Sequence, residues 1–283
     1  MKRYQAFGIL AFVVVAIGGY AVCQRSRAPS TGQRPIGTTT EQAVRAIPVS
    51  SEVRALMDDL TKKFDSVSAL YAETEMKLDE AAGMPGNTRG KGKYWLKRAD
   101  GRLFAKFATG NDIFAENPKA NPPSQIWTKE LVWQLYDGEH LYLLIQQRDY
   151  NKARKVNYDP DLMLQLGGTA LFRSLAEGND LTLLDDEEID GRPAYVIQAT
   201  PHNGDWVGKH WFDKETGVRL QVLETRSDGS EYFHFAVRNL NLTPEFAEDQ
   251  FRFVLPPDFD FTDETGGSAA SDADEGSDAG TSP

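Results

Sequence analysis

The stretch LVWQLYDGEHLYLLIQ, residues 131–146, holds two apolar-rich runs joined by Asp137-Gly138. Leu131, Trp133 and Leu135 recur at every second position, the period of a strand with one buried face. Asp-Gly is a turn signal of the kind that joins antiparallel neighbours. The second run is different. Leu141, Leu143 and Ile145 occupy one face and Tyr142 and Leu144 the other, so both faces are apolar. That pattern suits a curled sheet whose concave side lines an apolar pocket.

Working outward, the same period recurs on both sides. Ala72, Thr74, Met76 and Leu78 alternate with Glu73, Glu75, Lys77 and Asp79, as in a half-exposed antiparallel strand. Tyr94–Lys97 and Leu103–Phe107 flank a second turn signal, Asp100-Gly101. Toward the C-terminus, strands are expected at about 181–188, 193–200, 207–213, 217–226 and 230–240. Asp190-Gly191, residues 202–205, residues 215–217 and Asp228-Gly229 separate them. Phe251–Val254 reads as a last short strand before Pro256-Pro257.

Two helical segments interrupt this series. Ser50 or Ser51 can cap a helix in which Val53, Leu56, Met57, Leu60 and Phe64 recur at steps of three and four. Residues 159–177 carry Leu162, Leu166, Leu171, Phe172 and Leu175, divided by Gly167-Gly168. They predict two short helices with a flexible joint. The order is therefore helix, about five strands, a helical insert, then about six strands. A sheet this long with so few helices must curl over its own apolar face.

Length and charge bound the rest. The chain has 283 residues, with 31 basic and 42 acidic side chains and a net charge of -11. Such a chain repels phosphate backbones, which excludes nucleic acid as a partner. Six of the acids, Asp263, Glu264, Asp272, Asp274, Glu275 and Asp278, fall in a polar tail at 263–283 that is expected to be disordered. Cys23 is the only cysteine, so neither an intramolecular disulfide nor a cysteine-based zinc site can form.

Lys2 and Arg3 precede an uncharged run from Ala6 to Cys23. Eighteen residues at ~1.5 Å rise span ~27 Å, enough for a membrane core. Three fates compete: an uncleaved spanning anchor, lipidation at Cys23, and cleavage after Ala21. Residues 24–49 form a tether rich in Ser, Thr, Gly and Pro, and 50–262 form the folded domain. The expected protein is exported and held at the periplasmic or cell-envelope face of a membrane by residues 1–23.

Several segments, taken in order, resemble the LolA/LolB family of periplasmic lipoprotein carriers and receptors, which includes outer-membrane lipoprotein-sorting proteins. They are Phe64–Leu70, Gly92–Arg98 followed by Asp100-Gly101-Arg102, Tyr136–Tyr142, Phe212–Val218, Asn239–Asn241, and Phe251-Arg252-Phe253 with Pro256. The resemblance covers roughly residues 50–260. It implies a mainly β, incomplete, strongly curled antiparallel barrel with an N-terminal helix and a short helical lid, enclosing a hydrophobic cavity for acyl chains. It also implies that Arg98 helps to hold the lid closed. The family's proline after the Lys-Arg pair is Ala99 here. A tethered chain is more like the receptor than the soluble carrier.

Catalytic signatures are missing. The sequence contains no Gly-x-Ser-x-Gly elbow, P-loop or His-Glu-x-x-His. His202, Asp205, His210 and Asp213 form one cluster that suggests a metal, but His202 and Asp205 sit where a turn calls for such residues. No enzyme activity and no cofactor are expected. The expected ligand-binding residues are Leu103, Phe107, Leu131, Trp133 and Leu143 on the strands, with Leu162, Leu166, Phe172 and Leu175 from the insert acting as a lid. The expected ligands are lipid or lipoprotein acyl chains, taken by a monomer. An alternative is a non-enzymatic envelope regulatory or structural interaction protein that reuses the fold, of the RseB/MucB type.

Overall fold

The computed structural model describes residues 49–79, 88–117, 124–147, 150–158, 165–203 and 206–266. The anchor segment, Cys23, the tether, Leu162 and the chain beyond Gly266 lie outside them.

Helix α1 (Ser51–Ser66) starts where the capping residues predict. The Ser50 hydroxyl accepts from the Val53 amide at 3.2 Å, and Glu52 lies in the first turn. Val53, Met57, Leu60 and Phe64 are buried, so the helix buries the stripe its spacing defines. Six strands follow: β1 (Ala69–Leu78), β2 (Thr88–Ala99), β3 (Arg102–Asn117), β4 (Ser124–Tyr136), β5 (Leu141–Gln147) and β6 (Tyr150–Val156). After helix α2 (Thr169–Gly178) come β7 (Asn179–Ile189), β8 (Arg192–Pro201), β9 (Trp206–Asp213), β10 (Arg219–Arg226), β11 (Glu231–Asn241) and β12 (Asp260–Asp263).

All twelve strands join one sheet in the order β12-β6-β5-β4-β3-β2-β1-β11-β10-β9-β8-β7. Every pair is antiparallel except β6–β12. The sheet is not closed: β12 and β7 are its free edges. Asp100-Gly101 and Asp190-Gly191 both adopt positive φ at both residues, the backbone of a type I′ hairpin turn. One buried cluster unites Phe64 of α1 with Tyr94 and Phe107 on one half of the sheet and Val222 and Phe235 on the other. The two halves therefore curl around α1, and the helix-facing side is concave. A second cluster packs Val53, Met57 and Leu60 against Phe172 and Leu175 of α2 and Leu181, Ile197, Ala199 and Phe212 of β7–β9.

Two expectations fail. The sequence predicts about five strands before the insert and the structure has six. In β6 only Ala153 is buried among polar neighbours, so the strand lacks the apolar alternation that would mark it. Residues 251–254 are not a strand. Phe251 instead lies 5.9 Å from Phe104, and Phe253 stacks on Tyr142 at 4.1 Å, so these rings lie against the sheet's convex face. The chain then enters the sheet as β12, further along than predicted. Asp263 and Glu264, assigned to the tail from sequence, are paired there with Lys155 and Arg154.

Candidate functional site

The concave wall of β3–β5 is set by register. Phe107 faces Gln134, and Gln134 faces Leu143; Ala105 faces Tyr136, and Tyr136 faces Leu141. Leu103, Phe107 and Leu143 thus share the concave face with Gln134. Leu131 and Trp133 do not. They pair with Gly110 and Ala108 and belong to the convex face. Each strand's alternation was legible, but a one-residue difference in register exchanges the faces.

The wall has two parts. Leu103, Leu143 and Val156 pack around Ala105, Tyr136 and Leu141 at one end. At the other end, buried Thr109, Asn111 and Glu130 form a polar network. The Thr109 hydroxyl donates to Asn111 Oδ1 at 3.0 Å, Asn111 Nδ2 to Glu130 Oε1 at 3.3 Å, and Gln147 Nε2 to Glu130 Oε2 at 2.5 Å. Gly90 of β2 makes room for it, since a Cβ there would lie 2.4 Å from Asn111 Oδ1. Nothing in the expected site anticipates this network. Its signal in the sequence is Gly90 and Gly92 on one face of a strand, which marks the close approach of other groups.

Arg98 sits at the end of β2 and holds α1. Its Nη1 donates to the carbonyls of Phe64 at 3.2 Å and Val67 at 2.7 Å, and its guanidinium lies 5.2 Å from the centre of the Phe64 ring. It thus satisfies carbonyls at the helix C-terminus. Phe64 also meets the insert, because Gly167 is wedged against it: a Cβ at Gly167 would lie 2.4 Å from the ring. Gly168 has φ 89°, a conformation that favours glycine. The pair expected to be a flexible joint is therefore a packed contact followed by a turn. Leu166 is buried beside Phe64, and Phe172 and Leu175 lie in the β7–β9 cluster. The described part of the insert covers that half of the sheet rather than β3–β5.

Asp205 of the histidine cluster lies outside the described residues, and the other three members do not converge. His202 Nε2 lies 3.1 Å from Asp180 Oδ1, and Asp213 is bound by Arg192 and by the Thr216 hydroxyl at 2.9 Å. Among the described residues no group of three His, Cys, Asp or Glu side chains is placed to hold a metal. His210 is buried on the concave side of β9 with neither ring nitrogen hydrogen-bonded. Burial, assisted by the Arg219 charge, lowers its pKa to about 3, so it is neutral. On β10, burial raises Glu224 to about 7 against the opposing pull of Arg219.

Glu224 makes stability depend on pH. The folded carboxyl keeps its proton up to about pH 7, whereas an unfolded one releases it near ~4.3. Between those values the folded state binds more protons, so stability falls as pH rises. Glu224→Gln should flatten this slope in urea denaturation between about pH 4.5 and about pH 7. An unchanged slope would show that Glu224 is not the responsible group.

No family model matches the chain, and no curated protein does. Solved structures do. The MucA/MucB complex of Pseudomonas aeruginosa matches with a TM-score of 0.43 and 18% identity, over 71% of this chain and 60% of that one. The chain therefore spans less than two thirds of that relative. An uncharacterized conserved protein from Thermus thermophilus matches at TM-score 0.43 and 8% identity, over 75% and 99%. A LolA superfamily protein from Nitrosomonas europaea matches at TM-score 0.26 and 11% identity, over 69% and 96%.

Proposed function

We propose that this is an extracytoplasmic protein, held at a membrane by residues 1–23, whose concave wall binds acyl chains of a lipid or lipoprotein. One observation carries the reading. Helix α2 and Val53, Met57 and Leu60 of α1 pack on the β7 side of the sheet, and only Phe64 of α1 reaches the far wall, where Leu103 and Leu143 stand half-buried beside Phe107. An acyl chain laid against those residues gains ~0.8 kcal/mol for each methylene removed from water. The Thr109–Asn111–Glu130 network limits how far an apolar chain can run, because that end of the wall is polar.

The test is binding of a fluorescent fatty-acid probe to the purified full chain, with thermal unfolding measured on the same samples. Leu143→Glu should weaken binding by about tenfold or more while the domain still melts cooperatively. Trp133→Glu, on the opposite face, should leave binding unchanged. Equal binding by wild type and Leu143→Glu would remove the concave wall from consideration. A wild-type chain that takes up no probe would sink the carrier or receptor reading and favour the interaction-protein alternative.

A further inference from the structure

Leu131 and Trp133 line an open trough on the convex face. Its floor is β3, which carries only Ala108 and Gly110 there. The walls are in step across three strands: Lys93, Ala108 and Trp133 form one row, and Lys91, Gly110 and Leu131 the next. Two adjoining depressions of about 390 and 660 Å³ share Glu75, Lys91, Gly110 and Leu131, and so make one trough. One wall carries Lys91 and Lys93 with Arg238 beyond them and Glu73 and Glu75 interspersed, so cations outnumber carboxylates there, and the other wall is apolar. The Lys91 side chain is 86% exposed and Leu131 is 40% exposed. The trough ends at the following row, where Asp112 occupies the floor between Arg89 and Lys129.

The rows repeat every second residue, about 6.8 Å. An extended peptide laid along β3 sends alternate side chains to its two sides with that same repeat. Carboxylates on one side would meet Lys91 and Lys93, and apolar groups on the other would meet Leu131 and Trp133. The cations are available. Glu75 lies 3.2 Å from Lys91 Nζ and 3.7 Å from Arg238 Nε, but exposed pairs of this kind hold weakly and can be shared. The chain's own residues 267–283 are acidic but have no large apolar side chain, so they match only one wall. An acyl amphiphile has a single head group and matches only one cation of the row.

We propose that this trough is a docking site for an extended segment of a partner protein in which acidic and large apolar residues alternate. Such pairing uses the strand repeat to fix register and the cation row to select charge. The probe is a fluorescein-labelled nonapeptide alternating glutamate and leucine, titrated into the full chain and followed by anisotropy. Binding in the micromolar range is expected, weakening about tenfold or more with Lys91→Glu plus Lys93→Glu, and also when salt is raised from about 0.05 to about 0.5 M. Gly110→Val is the sharper variant. Its new Cβ meets only Leu131 Cδ2, at 3.3 Å, so the fold should hold while the trough is filled and the peptide is lost. No peptide binding, or binding indifferent to both variants, would overturn the assignment. So would dodecanoate binding with the same residue dependence in the absence of peptide binding. Deleting residues 267–283 should leave the affinity unchanged; a large gain would make the tail the occupant and likewise overturn it.

Discussion

Gly217→Ala should remove about 4 kcal/mol of folding stability, a large share of the ~5–15 kcal/mol typical of a domain. Two separate costs add. The residue has φ 69°, which an alanine adopts only with strain. Its missing side chain also faces backbone: a Cβ there would lie 2.2 Å from the Leu60 carbonyl oxygen and 3.2 Å from the Phe64 amide. The turn after β9 is thus pressed against α1, and neither segment can yield without moving the helix off the sheet. Gly229→Ala separates the two costs. It has φ 82° but open space around its Cβ position, so it should lose only about 1–2 kcal/mol. Urea denaturation of both variants measures the difference. Equal losses would mean that the turn does not press on α1.

Phe64→Ala should cost about 3–5 kcal/mol. The ring is entirely buried, and three elements meet on it: Arg98 from β2, Gly167 from the insert, and the strand side chains of the main core. Truncation would leave a void and remove the surface on which the insert rests. The contact with Gly167 supplies a sharper check. Gly167→Ala alone should be damaging, because the added methyl overlaps the ring. In a Phe64→Leu background the same change should cost much less. A double-mutant cycle should therefore show coupling of about 1 kcal/mol or more, and additive losses would argue against the packing described.

Glycines illustrate what the sequence could convey. Asp100-Gly101 and Asp190-Gly191 were legible as hairpin turns because the backbone they need is local, and so was the α1 stripe from its spacing. The role of Gly167 was not. A glycine next to another glycine reads as freedom, whereas here it admits an aromatic ring from a helix 103 positions earlier in the chain, as the numbers 64 and 167 give. The same limit explains the site. Alternation located the strands carrying Leu103, Phe107, Trp133 and Leu143, but which of them face one another depends on register, and register is fixed by pairing. The Glu130 network left only the trace of Gly90 and Gly92, and its members could not be named for the same reason: they lie on neighbouring strands. β6 escaped notice because a strand with one buried residue has no hydrophobic period to read.

β12 carries a consequence for how molecules of this protein meet. An open sheet presents unpaired amides and carbonyls along each border, a ready template for a second chain. Here one border is covered by the chain's own C-terminal segment, which runs parallel to β6 and is fastened through Lys152 to Asp260, Arg154 to Glu264 and Lys155 to Asp263. The other border is irregular where β7 slips register between Leu184 and Glu187, and it carries Asp185, Asp186, Glu187 and Glu188. One border is thus reduced to a four-residue edge strand fastened by opposite charge, and the other repels its like. The C-terminal segment's carboxylates are held ionised, Asp263 chiefly by its hydrogen bonds from Thr265 and Glu264 by Arg154, both below the usual range. Strong acid or concentrated salt would loosen it first, making the β6 border the place where self-association of the folded protein would begin.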